Sequence, residues 1–273
     1  MTAPSLHPDP WRDVDAQPDA AKLAASLELC GRTPTQARLR GRFLRFVPIR
    51  PGDAILEVGC GTGVVIRDLA AIAGPRGSVV GVDPSRLILR EARKRCRGAR
   101  SRVTLREADG AALPFKGGRF DAVLAITVIL HVADPLRVVA EMARVTRRGG
   151  RVGVQDQDFG TVAVTHADRA LTDRIMRGVA AHIYAEPDSG RRLPGLLRQA
   201  GVQDVRLLTD VYQDTTLEPW TKTFLERRAE HAVRFGIVDA STARRWLDGF
   251  TELVARGAFV LTMNYYGAVG VTR

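Results

Sequence analysis

The sequence predicts an α/β protein: a doubly wound, mainly parallel sheet with helices on both faces. Three observations predict it. Short apolar runs alternate with amphipathic segments at crossover spacing. A glycine loop, Gly59-Cys60-Gly61-Thr62-Gly63, joins the first of those runs to the helix after it. Carboxylates, Asp83 and Asp109, stand where the next two runs end, the edge at which open α/β sheets bind ligands.

Each element can be justified in order. Residues 1–20 are rich in Pro and Asp and are expected to be loose or packed as an arm. Residues 21–31 and 34–47 have helical spacing. Pro34 fits a first turn, Pro48 ends the second helix, and Pro51-Gly52-Asp53 is a turn. Ala54–Val58 is a short apolar strand that runs into the glycine loop, and residues 64–72 continue as a helix with Ile66, Leu69 and Ala70 inward. After the break at Gly74-Pro75-Arg76-Gly77 come a strand at 78–82, a helix at 84–96 and a strand at 103–107. A fourth strand at 120–126 and a helix at 135–144 follow. Gly149-Gly150 breaks that helix before a strand at 151–155. The alternation then loosens: helices at 167–185 and 190–200, a strand at 202–212, helix from 217 to 256 broken near Gly236 and Gly249, and a closing strand at 259–271.

Composition narrows the function classes. With 273 residues, 45% hydrophobic and 26% charged, the chain has the make-up of a globular protein and not of a disordered one. Its longest apolar stretch, 122–130, falls well short of the ~20 residues of a membrane span. The first twenty residues carry Asp9, Asp13, Asp15 and Asp19 without an apolar run, so no secretory signal is expected. Cys30, Cys60 and Cys96 share no disulfide or zinc spacing. No metal site is expected, and the cytoplasm is the expected compartment. The net charge of +11, from 41 Lys+Arg against 30 Asp+Glu, leaves open a polyanionic partner or a bias towards arginine; only Lys22, Lys94, Lys116 and Lys222 are lysines.

The glycine loop carries the chemistry. Its glycines allow a tight turn and a close ligand, and the helix start adds free N–H donors. Val64 stands where a dinucleotide fingerprint needs Gly or Ala, and Glu57 lies two residues before the first glycine. Asp83 follows Gly63 by about twenty residues, where a carboxylate takes the paired hydroxyls of a ribose; it could equally cap the next helix before Pro84. Asp109 can accept from the exocyclic amine of an adenine or form an Asx turn before Gly110.

In these residues the sequence resembles the class I S-adenosylmethionine-dependent methyltransferases, in particular the type 11 small-molecule branch that includes the ubiquinone and menaquinone C-methyltransferases. The matching stretches are Leu56–Gly63, Val80–Ser85, Ala108–Phe115, Phe120–Val123 with His131 and Asp134-Pro135, and Glu141–Gly150. The resemblance is dense over residues 50–156 and looser beyond. It implies a Rossmann-like sheet of seven strands in the order 3-2-1-4-5-7-6, the last antiparallel, with an added helical lid. It implies S-adenosyl-L-methionine as cofactor and S-adenosyl-L-homocysteine as product. Glu57, Gly59, Cys60, Gly61, Thr62 and Gly63 would then line the methionine and ribose, Asp83 with Pro84 and Ser85 would hold the ribose, and Asp109, Gly110 and Ala111 would flank the adenine. Many relatives carry polar residues where this chain has Ile126-Thr127, and a polar residue where it has Leu130; contacts there would come from backbone atoms.

On this reading residues 1–273 form one methyltransferase domain, with an N-terminal helical arm or lid (1–50), a cofactor core (51–156) and an acceptor-side half (157–273) carrying helical inserts at 157–200 and 213–257. The surplus helices would cover a small, largely apolar acceptor, a secondary metabolite or a quinone-like molecule, methylated on O, N or C. His131, Asp156 and Asp158 are the candidate bases, His131 after the fourth strand and the two carboxylates at the end of the fifth, facing the acceptor. His131 could instead cap the next segment, and the carboxylates could form a solvated turn. His166, His182 and Tyr184 are expected at the surface or in packing, Trp220, Phe224 and Trp246 in the core, and at most one of Tyr265 and Tyr266 in a pocket, since neighbours on a strand face opposite sides. Three alternatives stay open: an RNA or DNA methyltransferase, a non-catalytic cofactor-binding protein and a nicotinamide oxidoreductase. The stretch Ala125-Ile-Thr-Val-Ile129 lacks the Asn/Asp-Pro-Pro-aromatic motif common in nucleic-acid amino-methylating enzymes. Most of the charge excess sits between Arg86 and Arg106, where Glu91 is the lone acid, on a sheet edge away from the acceptor. It is expected to be surface character, and both monomer and dimer remain open.

Overall fold

The computed structural model describes residues 9–184 and 186–273. Residues 1–8 of the expected arm and Ala185 of the expected 167–185 helix lie outside the described residues. The elements are α1 (Ala20–Arg32), α2 (Pro34–Phe46), β1 (Ala54–Val58), α3 (Val64–Ala73), β2 (Ser78–Asp83), α4 (Arg86–Arg95), β3 (Arg102–Glu107), β4 (Phe120–Ile126), α5 (Pro135–Val145), β5 (Thr146–Val164), α6 (Arg169–Ile183), α7 (Ser189–Gln199), β6 (Gln203–Asp214), α8 (Pro219–Arg234), α9 (Ala240–Ala255) and β7 (Leu261–Val271). Among the described residues the strands form one seven-stranded sheet in the order β3-β2-β1-β4-β5-β7-β6. β1 to β5 pair in parallel, and β7 runs antiparallel to both β5 and β6. The Rossmann-like fold expected from the sequence is thus the observed one.

Alternation along the buried strands feeds two cores. Leu56 and Val58 of β1 and Val123 and Ala125 of β4 face α5 and α7, packing with Val138, Met142 and Leu193. Ile55, Val79, Ala122 and Leu124 face the other way, onto Phe43, Ile66, Leu69 and Leu89 of α2, α3 and α4. Each fully buried Val, Leu, Ile, Phe or Met side chain among them contributes ~1.5–3 kcal/mol of transfer free energy. A third core, centred on Trp246, Phe250, Val179 and Leu225, joins α6, α8 and α9 to the projecting ends of β5 and β7.

Two local expectations are corrected. β5 does not end at residue 155 but runs to Val164, paired with β7 as far as Val164↔Leu261, with a register shift between Asp158 and Ala163. β7 supplies the ladder bonds that carry β5 beyond its parallel neighbour. Gly249 does not break a helix, because α9 is continuous from Ala240 to Ala255. A Cβ there would come within 2.5 Å of His166 Nε2, so the glycine admits an imidazole that bonds the Trp246 carbonyl at 3.1 Å. Gly236 does end α8, in the left-handed conformation at φ 67°. Among the described residues, no helix is long and apolar enough to cross a membrane.

Candidate active site

One cavity of about 860 Å³ opens over the C-terminal ends of β1, β2 and β4. Its floor is the glycine loop. Gly59, Gly61 and Gly63 have φ of 67°, 52° and 84°, a region in which residues with a Cβ are strained. A Cβ on Gly59 would lie 2.5 Å from Val128, and one on Gly63 would lie 2.6 Å from Cys96 Sγ. Gly59 and Gly61 line the cavity. The expected contacts Glu57, Cys60, Thr62 and Gly63 are not among its walls; they shape the loop from behind. Cys60 is buried in the core under α3, where burial, with Asp83 and Glu57 adding, raises its thiol well above the usual range. Thr62 Oγ1 donates to Glu28 Oε1 of α1 at 2.6 Å. Gly63 begins α3. Glu57, buried on β1, has Oε2 without a partner among the described residues. Burial, with Asp83 and Asp68 nearby, raises its carboxyl well above the usual range.

Asp83 ends β2 and faces the cavity. Its Oδ2 accepts from Gly61 N and its Oδ1 from Ser85 N, both at 3.0 Å. Burial raises this carboxyl to about 6 against those two bonds. Pro84 lines the cavity, whereas Ser85 is buried and caps α4 through Ile88 N at 3.1 Å. Asp15, from the N-terminal arm, accepts from Ser85 Oγ at 2.5 Å and from Arg86 N at 2.9 Å. The arm is thereby tied across the helix start. Asp109, Gly110 and Ala111 line the cavity after β3, and Asp109 Oδ1 accepts from Ala111 N at 2.8 Å, so the Asx turn forms at a residue that also faces the ligand space. Ile126 and Thr127 line it after β4. Thr127 has φ 55°, costly for a β-branched residue. It is held there by Thr127 N donating to Gln155 O at 2.7 Å.

His131 also lines the cavity, in a 3-10 turn between β4 and α5. Its Nδ1 lies 2.7 Å from Asp9 Oδ2. Asp9 is 1% exposed and also accepts from Trp11 N at 3.0 Å. A carboxylate at that position assigns the proton to Nδ1 and leaves the Nε2 lone pair open. The sequence reading places Asp9 only in the arm; the local signal for its role is the Asp9-Pro10-Trp11 turn, in which Asp9 caps the residues that follow.

The expectation that Asp156 and Asp158 face the acceptor is corrected. Because β5 continues, neighbours alternate across it: Gln157 and Phe159 reach the cavity, and the two aspartates point away. Asp158 is fully buried in an ion pair with Arg191, whose Nη2 donates to Oδ1 at 2.9 Å. Asp156 Oδ2 accepts from Leu130 N at 3.0 Å, and its Oδ1 has no partner among the described residues. Burial raises the Asp156 carboxyl to about 7, with His131 and nearby backbone N–H groups opposing. A raised acid pKa means that the folded state holds this proton more tightly than the unfolded chain. Its contribution to stability is present at low pH and is lost as pH rises through 4 towards 7. Asp156→Asn is therefore expected to stabilise the fold at pH 8 by ~1–3 kcal/mol and to change it little near pH 4. Chemical denaturation at the two pH values checks this; equal effects at both would contradict it.

The remaining wall is aromatic. Tyr184, Trp220 and Phe224, expected at the surface or in the core, line the cavity with Phe159. Phe159 stacks on Tyr184 at 4.7 Å and on Phe224 at 6.0 Å, and Trp220 stacks on Phe224 at 5.5 Å. Trp246 is core as expected, fully buried, with Nε1 donating to Thr172 at 3.0 Å. Of the paired tyrosines, Tyr265 lines the cavity and takes a bond from Gln36 Nε2 at 2.9 Å, and Tyr266 is not among its walls. His182 is exposed and bonds the Gly178 carbonyl, and His166 serves α9.

The donor set fits an adenosyl cofactor. Glycine-loop backbone, a strand-end carboxylate suited to paired hydroxyls, and an apolar slot between Val58 and Val138 beside Asp109 lie along one cavity. Comparison with known proteins agrees. Residues 55–150 match a family model described as a methyltransferase domain. A 37.1 kDa protein of transposon TN4556 from Streptomyces fradiae is 32% identical over 89% of this chain and 69% of its own length. The demethylmenaquinone methyltransferase of Lactobacillus johnsonii is 33% identical over 63% of this chain and 76% of its own. The YcgJ protein of Bacillus subtilis, at 16% identity, shares the fold with a TM-score of 0.58 over 86% of this chain and 97% of that one. The chain spans from 62% to 76% of the length of the first curated relatives it matches. From the motif, the sheet order and these relatives together, the chain belongs to the class I S-adenosylmethionine-dependent methyltransferases.

Proposed function

We propose that this methyltransferase acts on a small, largely apolar acceptor held against the aromatic wall, with His131 as general base. The observation that carries the reading is the continuity of one cavity from Asp83 and Asp109, past His131, to Phe159, Tyr184, Trp220 and Phe224. When bound, S-adenosylmethionine supplies an electrophilic methyl group. Gly59 and Gly61 would offer space for close approach to the backbone, Asp83 would accept from the ribose hydroxyls, and Asp109 with Gly110 and Ala111 would border the adenine. Ile126 and the strained Thr127 would present backbone atoms towards the methionine end. Trp11 and Val14 of the arm, which also line the cavity, would exclude water from above. Orienting two reactants in such a site supplies ~7–11 kcal/mol in favourable cases.

His131 would take the proton from an acceptor hydroxyl or acidic C–H at Nε2, and Asp9 would hold the imidazole and balance the charge it gains. Asp9 is thus a positioning residue. Similarity to a demethylmenaquinone methyltransferase supports a quinone-like or related conjugated acceptor. The basic segment 86–106 lies on α4 and the edge strand β3, and part of its charge is already paired, Arg86 with Glu107 and Lys94 and Arg95 with Glu91. That placement favours a small acceptor over a nucleic acid.

The test is partition of label. The protein is incubated with methyl-tritiated S-adenosylmethionine and a bacterial extract, and the products are separated. The reading expects label in the solvent-extractable small-molecule fraction. Label confined to acid-precipitable nucleic acid or protein would overturn it.

A further inference from the structure

Arg228, on α8, is 3% exposed and lines the cavity, yet both terminal guanidinium nitrogens lack a hydrogen-bond partner among the described residues. No described carboxylate forms an ion pair with it. Its charge lies instead over three rings, 4.6 Å from Phe159, 4.8 Å from Phe224 and 5.6 Å from Tyr184. The Tyr184 hydroxyl lies alongside without an aligned bond to either terminal nitrogen. Cation–π contacts return ~2 kcal/mol or more each when desolvated and so offset much of the several kcal/mol that burial of an ion costs, but they leave the guanidinium's N–H donors without acceptors. A planar fork with open donors is the side chain that receives carboxylates and other oxyanions in two-pronged fashion.

The charges on the cavity wall are unevenly placed. Asp83, Asp109 and Asp134 line the strand-end side, and α8 contributes Arg227, Arg228 and Arg234 against one acid, the exposed Glu230. The arm adds Arg12 and Asp19, one charge of each sign. Burial lowers the His231 imidazole to about 4, with Arg228, Arg234 and Arg227 adding to the effect and Asp9 opposing it.

We infer that Arg228 is the anion-recognising residue of the acceptor site and that the acceptor is a flat, conjugated molecule bearing a carboxylate or an acidic enol. Its ring system lies among Phe159, Tyr184 and Phe224, and its oxyanion meets the Arg228 fork. The inference rests on the small-acceptor reading above and adds the acceptor's charge to it. A guanidinium buried against rings alone keeps donors without acceptors, and an incoming oxyanion supplies them, so a neutral analogue of the same shape binds more weakly.

The test uses the full chain with S-adenosylhomocysteine present and three probes: 6-hydroxy-2-naphthoic acid, its methyl ester, and 2-naphthol. Affinities are read from quenching of tryptophan fluorescence and confirmed by calorimetry at pH 7.5. The expected result is that the acid binds at least tenfold tighter than the ester in the wild type, less than threefold tighter in Arg228→Met, and at an intermediate ratio in Arg228→Lys. 2-Naphthol keeps the hydroxyl and lacks the carboxylate, so it is expected to bind at least tenfold more weakly than the acid; binding as tight as the acid's would overturn the inference. A wild-type ratio below three, no detectable binding of the acid, or a ratio unchanged in Arg228→Met overturns the inference. So does a tenfold loss of S-adenosylhomocysteine affinity in a folded Arg228→Met, which would assign the cation to the cofactor's own carboxylate. If neither variant folds, the wild-type ratio alone decides. Failure of the wild type to bind S-adenosylhomocysteine is a separate result: it refutes the methyltransferase reading and leaves the anion preference to be judged by the acid and the ester.

Discussion

Asp83→Ala is expected to weaken S-adenosylhomocysteine binding by at least about 100-fold while the protein stays folded. Two hydroxyl donors onto one carboxylate contribute ~1.5–3 kcal/mol each, and the side chain also braces Gly61 N in the glycine loop and Ser85 N at the start of α4. The fold survives because the substitution removes a carboxyl whose ionisation burial already opposes. The same group makes binding pH-dependent. With its carboxyl raised to about 6, the free protein carries a proton there below that pH, and that proton must leave before the hydroxyls are accepted. Wild-type affinity is thus expected to fall about tenfold per unit below pH 6 and to be flat above pH 7. Calorimetry across pH 5–8 checks both; an affinity in Asp83→Ala within threefold of wild type would sink the ribose assignment.

His131→Ala is expected to lower kcat by about 10²–10⁴-fold, the usual contribution of a placed general base, with cofactor affinity within a fewfold of wild type. Asp9→Asn should lower kcat by about 10–100-fold, because an amide no longer fixes the Nδ1 proton or stabilises the imidazolium. The readout that separates chemistry from packing is the split of the loss. A positioning role lowers kcat with KM for the acceptor nearly unchanged, and a purely structural tie between arm and turn raises KM and loosens the cofactor. His131→Ala with full kcat would contradict base catalysis and leave methyl transfer to an acceptor that needs no deprotonation.

The cofactor half was legible in the sequence because local chain chemistry dictates it. A strand must end at Glu57-Val58, glycine takes the φ values of positions 59, 61 and 63 without strain, and Asp83 and Asp109 follow from the ends of β2 and β3. The acceptor half was not, because contacts distant along the chain make it. Asp9 meets His131 across 122 positions. β5 outruns its expected end because β7, more than 100 residues later, pairs with it, and that extra length turns Asp156 and Asp158 away and brings Gln157 and Phe159 in. Trp220, Phe224 and Arg228 have helical spacing that fits a core as well as a wall; only the placement of α8 over the strand ends separates the two. Gly249, expected to break a helix, answers to an imidazole 83 positions earlier in the chain.

The central claim is that this cavity passes a methyl group from S-adenosylmethionine to a small molecule. The most direct measurement is mass spectrometry of wild-type protein incubated with trideuteromethyl S-adenosylmethionine and the small-molecule filtrate of a cell extract. The account predicts a product bearing one deuterated methyl, formed in step with S-adenosylhomocysteine and absent with Asp83→Ala. Intact cofactor binding with no deuterated product from any filtrate would contradict it.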